Sequence, residues 1–142
     1  MENQSACFVC RKHAGLEAVP PGGYLYDDAH FRACHAPAAI ALPGTLLIES
    51  RRHALDFATM TPEEAADYGA LLSRLYAAIK RVIGAERVYT LVTLEGASHF
   101  HSWHVPRLPH AAARGVALLA QDHACSEDEA VAAAEALHEA FR

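Results

Sequence analysis

No apolar run in this 142-residue sequence approaches the roughly 20 residues that a membrane-spanning helix needs. A membrane protein is therefore not expected. Positive charge is also short: 12 Lys and Arg stand against 17 Asp and Glu, for a formal net charge of −5. Bulk binding to nucleic acid needs a basic footprint, so nucleic acid is not an expected partner. A small nucleotide in a locally positive pocket remains compatible with this balance. The first residues, Met-Glu-Asn-Gln-Ser-Ala-Cys, hold neither a basic segment nor a long apolar one. No secretory signal is read there, and the expected compartment is the cytosol. The sequence has no internal repeat, no low-complexity segment and no linker that would divide it. The expectation is one domain over residues 1–142, long enough to bury a real core.

Cysteine is sparse. The four are Cys7, Cys10, Cys34 and Cys125, and in a reducing cytosol disulfides are rare. Cys7-Phe-Val-Cys10 then points to metal or redox chemistry. A thioredoxin-like redox pair follows a strand and leads into a helix, and no strand precedes this one. Metal is the stronger reading. Structural zinc takes four ligands, so two more must come from elsewhere in the chain. Two thiolates with two neutral imidazoles would neutralise a Zn²⁺ ion.

Short strands are expected over Gly23–Tyr26, His30–His35 and Thr45–Glu49, with turns at Pro20–Gly23 and Pro43–Gly44. Thr61-Pro-Glu-Glu64 combines a threonine cap, proline at the first helical position and glutamate at the third. Tyr68, Leu71, Leu72, Leu75, Ile79 and Val82 follow at helical spacing. One long helix is predicted from about Pro62 to Ile83, stopped by Gly84. Val88–Leu94 reads as a buried strand, Val116–Ala120 as a further short one, and Ser126-Glu-Asp-Glu129 caps a terminal helix over Ala130–Phe141. The order suggests α+β: an antiparallel sheet of about five strands with one long helix and a C-terminal helix.

Of ten histidines, three fall in Ser98-His-Phe-His-Ser-Trp-His-Val-Pro-Arg107. Aromatic and β-branched residues favour a strand here, and Pro106 is expected to end it. Alternation puts His99, His101 and Trp103 on one face and Phe100, Ser102 and His104 on the other. Read from the residues alone, two imidazoles on one face are a metal pair, a nucleophile with a helper, or a structural pair.

The stretch resembles the signature of the histidine triad (HIT) superfamily, His-x-His-x-His followed by apolar residues and often Pro-Arg. Aligned on Val105-Pro106-Arg107, His99 and His101 take the first two positions and Trp103 the third, where the family has His or Gln. The resemblance also draws on Cys7-x-x-Cys10, on Pro43-Gly44 with the strand leading to Arg51-Arg52-His53, and on the Thr61 helix. It implies the HIT fold, a homodimer, and a small nucleotide or other phosphorylated substrate. It implies that His101 is the nucleophile that carries a nucleotidyl group. It also implies a structural zinc on Cys7, Cys10, His53 and His99, with His13 and His35 as rival ligands. Ser98, Trp103 and Thr93 are the candidate substrate contacts, and Ser98 and Trp103 the candidate assistants in catalysis.

Three departures bear on activity. Trp103 offers an N–H but cannot shuttle a proton. Glu95-Gly96-Ala97-Ser98 is shorter than the family's phosphate-contacting loop. The segment Cys34-His-Ala-Pro37 carries no carboxylate where the family holds the ribose. The leading expectation is a HIT-like nucleotide hydrolase or nucleotidyltransferase acting on a phosphoanhydride or phosphoramidate through His101. The alternatives are a zinc-stabilised, non-catalytic binding module, and different chemistry using the metal or His104.

Overall fold

The computed structural model of the chain describes residues 6–142. A short helix α1 (Phe8–His13) opens it, followed by strands β1 (Tyr24–Asp27), β2 (Phe31–His35) and β3 (Leu46–Ser50). Helix α2 (Pro62–Ala78), strands β4 (Arg87–Leu91) and β5 (His101–Arg107), a helical turn α3 (Val116–Leu119) and helix α4 (Glu127–Ala140) complete the order. The five strands form one antiparallel sheet in the order β1-β2-β3-β5-β4. Among the described residues no helix is long and apolar enough to cross a membrane.

The α+β expectation and its long helix hold. Thr61 and Glu64 form the capping box, with Thr61 Oγ1 accepting from the Glu64 amide at 3.1 Å and Glu64 Oε1 accepting from the Thr61 amide at 2.9 Å. Beyond Ala78 the helix widens into a π-type turn over Ile79–Ile83 and stops at Gly84, whose φ of +79° suits glycine. Tyr68, Leu71 and Leu75 pack with Phe31, Leu46, Ile48 and Phe100 to form the main core on this side of the sheet. The Ser126–Glu129 capping box is also present, and Ala134 and Leu137 of α4 close the same core. Gly44 is needed at its turn: φ is +90°, and a Cβ there would lie 2.8 Å from Ile83 Cγ1.

Four expectations need correcting. The strand expected to be buried over Val88–Leu94 is β4, which spans Arg87–Leu91 at the sheet edge with only Val88 buried. Val116–Leu119 is a helical turn, not a strand. Its amides bond back to the Gly115 and Val116 carbonyls, and Val116 is exposed with no strand beside it to pair. Pro106 does not end β5, which runs through to Arg107. The Phe100 carbonyl faces β3 (it accepts from Ser50) and the Arg107 carbonyl faces the β4 side (it accepts from Glu86). By alternation the Pro106 nitrogen points to the β3 side, and β3 has already ended opposite His104. No ladder bond is lost, which is the condition under which proline is tolerated in a strand. Finally, His99 lies just before β5, not within it.

Phe100, Ser102 and His104 are fully buried, on the α2 side. His104 is held in a polar chain through the core: Tyr68 Oη donates to Ser102 Oγ at 3.0 Å, Ser102 Oγ meets His104 Nε2 at 2.7 Å, and His104 Nδ1 meets Thr90 Oγ1 at 3.0 Å. Burial pushes the His104 pKa down to about 3, so the ring is neutral at physiological pH. The unfolded chain binds a proton near the ordinary value of about 6.5 and the folded chain does not. This stability is therefore complete above about pH 6.5 and falls as pH drops toward about 3, by at most about 1.4 kcal/mol per unit. Urea unfolding of wild type and His104→Asn at pH 7.0, 6.0 and 5.0 checks this. The wild type should lose stability more steeply than the variant; parallel slopes would contradict it.

Candidate functional site

Cys7 caps α1, and its sulfur accepts the Cys10 amide at 3.4 Å. A spacing of three places both sulfurs on one side of the helix start, where thiolates are favoured. His53 follows β3 on a segment tied to α2 by Arg52, whose Nη2 donates to Glu64 Oε1 at 2.8 Å. His99 precedes β5. The tails of β3 and β5 are joined there: the Phe100 amide donates to the Ala54 carbonyl at 2.7 Å and His99 Nε2 donates to the Ser50 carbonyl at 2.7 Å.

These anchors bring the four side chains together. Their donor atoms all lie within 4.8 Å of one another. Cys7 Sγ and Cys10 Sγ are each 3.4 Å from His99 Nδ1, Cys10 Sγ is 3.3 Å from His53 Nδ1, and the two Nδ1 atoms are 3.2 Å apart. The bond to Ser50 occupies the Nε2 proton of His99, so its Nδ1 presents a lone pair to the cluster. Burial pulls the His99 pKa below the ordinary histidine value, which favours the neutral, ligating form. The two rival ligands are committed elsewhere. His13 Nε2 is 3.0 Å from Glu49 Oε1. His35 Nδ1 donates to the Ala36 carbonyl and its Nε2 accepts from the Gly44 amide.

His101 begins β5 on the opposite face from Ser102 and His104. Its Nδ1 donates to the His99 carbonyl at 2.9 Å, which leaves Nε2 with the lone pair. The backbone of a cluster residue therefore sets the tautomer of His101. Across the β3–β5 ladder, Glu49 pairs with His101 and Leu47 with Trp103. Trp103 packs on a small apolar cluster with Cys34, Ala36, Ala41, Leu47 and Tyr24. A cavity of about 490 Å³ opens beside His101 and Trp103. Ala97 lines it, while the neighbouring Ser98 is exposed on the preceding turn. Thr93 lies in a separate hollow with Leu55, Phe57 and Leu94.

A buried charge network on this face is absent from the sequence reading. Glu49, only 2% exposed, accepts from Lys12 Nζ at 2.7 Å and Tyr24 Oη at 3.3 Å, and meets His13 Nε2 at 3.0 Å. Burial pushes its carboxyl up, but the His13 and Lys12 contacts outweigh this and hold it below the ordinary value. Lys12 Nζ also donates to Cys34 Sγ at 3.3 Å, a thiol that burial pushes up to about 12 and so keeps neutral. The Arg32 guanidinium stacks 3.5 Å from the Tyr24 ring centroid. The available signal was a glutamate closing an otherwise apolar strand, Thr45-Leu-Leu-Ile-Glu49, with a lysine just after the cysteine pair. Glu49→Ala should destabilise the fold by about 3–5 kcal/mol, because it leaves the Lys12 ammonium buried without its partner. A urea midpoint equal to wild type would refute that.

The fold and this geometry can be set beside known structures. The described chain superposes at a TM-score of 0.76 on a Zn-bound histidine triad family protein from Mycobacterium smegmatis, with 17% identity and 98% of this chain and 95% of that one covered. This is the histidine triad fold. A HIT-like protein involved in cell-cycle regulation from Bartonella henselae matches at 0.76 with 12% identity, covering 98% and 99% of the two chains. A hypothetical histidine triad nucleotide-binding protein from Sulfolobus tokodaii matches at 0.74 with 14% identity, covering 95% and 91%. No protein-family model and no curated protein matches the sequence. The histidine triad fold is thus shared at identities of 12–17%. In this chain His101 and Trp103 lie in β5 and His99 just before it.

Proposed function

We propose that this chain is a metal-stabilised histidine triad enzyme that transfers or hydrolyses a nucleotidyl or related phosphoryl group through His101. The observation that carries this reading is the His101 Nδ1 hydrogen bond to the His99 carbonyl. It leaves Nε2 as a nucleophile beside a cavity, with a built-in acceptor for the positive charge that forms on the ring. In the first step the Nε2 lone pair forms a bond to phosphorus. The bond from phosphorus to the leaving oxygen or nitrogen breaks with its electron pair, and the leaving group takes a proton from solvent. In the second step water attacks phosphorus and gives up a proton to solvent, the phosphorus–Nε2 bond breaks with its electron pair returning to nitrogen, and neutral His101 is restored. Trp103 and Ser98 are the proposed assistants, through the indole N–H and the hydroxyl.

For the cluster of Cys7, Cys10, His53 and His99 we propose zinc. Tetrahedral zinc with Zn–N of 2.0–2.1 Å and Zn–S near 2.3 Å requires N···N of about 3.3 Å and S···N of about 3.6 Å. The corresponding separations here are 3.2 Å and 3.3–3.4 Å. When bound, the ion supplies a cross-link among three segments and holds the carbonyl that orients His101. We place the chain in the reducing cytosol, where a thiolate-ligated site of this kind is stable against oxidation. Among the described residues strand β4 has no neighbour on its outer side, which supports a homodimer.

The test is incubation with a panel of nucleoside phosphoramidates and dinucleoside polyphosphates, followed by mass spectrometry of the His101 peptide. A covalent adduct on His101 is expected. A folded, metal-loaded protein that binds no nucleotide would instead favour the non-catalytic module, a reading to which the packing of Trp103 on Leu47 and Cys34 lends weight.

A further inference from the structure

The cavity beside His101 has an uneven chemistry. Its walls are built largely from apolar side chains, including Phe8, Val9, Val19, Ile40, Leu47 and Trp103. At its mouth Phe8 is 56% exposed, Val19 77% and Ile40 57%, so apolar surface continues out to solvent. The polar side chains in the wall are already engaged. Glu49 is tied to Lys12, His13 and Tyr24, and Lys12 to Glu49 and Cys34. Both ring nitrogens of His35 are bonded to backbone. Among the described residues His101 Nε2 and the Trp103 indole N–H make no hydrogen bond to the protein, and both belong to β5 at one side of the cavity. Glu127 is exposed at the start of α4, where its carboxylate is solvated.

A ligand buried here meets hydrogen-bonding side chains at the His101 end and at Glu127 on the exposed rim, and apolar surface over the rest. A ribose diol or the polar edge of a base placed against that surface would give up water and gain no side-chain partner. A flat apolar group would bury its area at no such cost. At about 490 Å³ the cavity falls among those that enclose a whole small organic molecule, about 300–1,000 Å³. We infer that the preferred ligand is an organic phosphate whose organic part is a flat apolar group, such as a fused aryl ring, and not a nucleoside. The inference rests on the proposed role of His101 at phosphorus and specifies what the phosphoryl group is attached to.

Titration calorimetry of the metal-loaded protein separates the possibilities, with 2-naphthyl phosphate, 2-naphthol and adenosine 5′-monophosphate as probes. The naphthyl phosphate should bind at least tenfold more tightly than the adenosine monophosphate. Ile40→Asp, at an exposed position that should not disturb folding, should weaken the naphthyl phosphate at least fivefold while leaving metal content and Tm unchanged. If 2-naphthol binds as tightly as its phosphate and both outbind the nucleotide, the apolar preference stands and the phosphorus role of His101 fails. Equal or tighter binding of the nucleotide overturns the inference and leaves the role of His101 standing. Absence of binding by all three probes also overturns it.

Discussion

Cys7→Ser should lose the bound metal and lower the melting temperature by about 10 °C, and chelation of the wild type should do the same. Cys7, His53 and His99 are separated by long stretches of sequence, so the site closes large loops that the unfolded chain leaves open. Removing the ion is also unfavourable locally. Four donor atoms then face one another within 4.8 Å. The Nε2 proton of His99 is committed to Ser50, so His99 Nδ1 has no proton to share with the nearby Nδ1 of His53 or with either sulfur. Binding energy of this kind appears as folding energy. A loss of about 3 kcal/mol corresponds to roughly 10 °C for a domain of this size. The control is Cys125→Ser, which lies outside the cluster and should leave metal stoichiometry at one per chain. Purified protein without zinc, or a Cys7→Ser variant with unchanged stoichiometry, would sink the assignment.

How legible this was in the sequence depended on how local the signal is. Both capping boxes and the glycine stop at Gly84 lie in a few adjacent residues, and the helices follow them. The separation of His101 from Ser102 and His104 came from strand alternation, which needs no tertiary knowledge. The ligand set was reachable only through the resemblance, since nothing local links Cys7 to His53. The failures are tertiary. Pro106 stays in β5 because β3 stops short, a fact about a neighbouring strand. Val116–Leu119 coils because no strand lies beside it to pair. The Lys12–Glu49–Tyr24 network stayed hidden because its members come from a helix and two strands that meet only on folding. The N-terminal helix itself was missed because six residues give too little periodicity to read.

His101→Ala should abolish turnover, whereas Trp103→Gln and Trp103→His should preserve or raise it. The two positions share a strand face but differ in what they offer. His101 presents a nucleophilic nitrogen whose tautomer is set by the His99 carbonyl at 2.9 Å, and alanine leaves no atom to form the bond to phosphorus. The structure offers no substitute nearby. His104 is buried on the other side of the sheet with both nitrogens in hydrogen bonds, and the Nδ1 atoms of His53 and His99 face each other and the Cys10 sulfur. In the proposed reaction Trp103 assists and forms no bond to phosphorus. Its indole can donate one hydrogen bond, can accept none and cannot carry a proton, while its bulk sits against the small apolar cluster that includes Leu47 and Cys34. Glutamine or histidine there would add a smaller polar group facing the same cavity. A donor aimed at transition-state charge is typically worth 10²–10³ in rate, so a gain at this position should be measurable. Steady-state rates should be read beside zinc content and Tm for each variant, because Trp103 also supports the apolar cluster. Hydrolysis that survives His101→Ala in a folded, metal-loaded protein would end the covalent mechanism and direct attention to the metal. A drop in rate for Trp103→Gln at unchanged Tm would show that the indole itself holds the substrate.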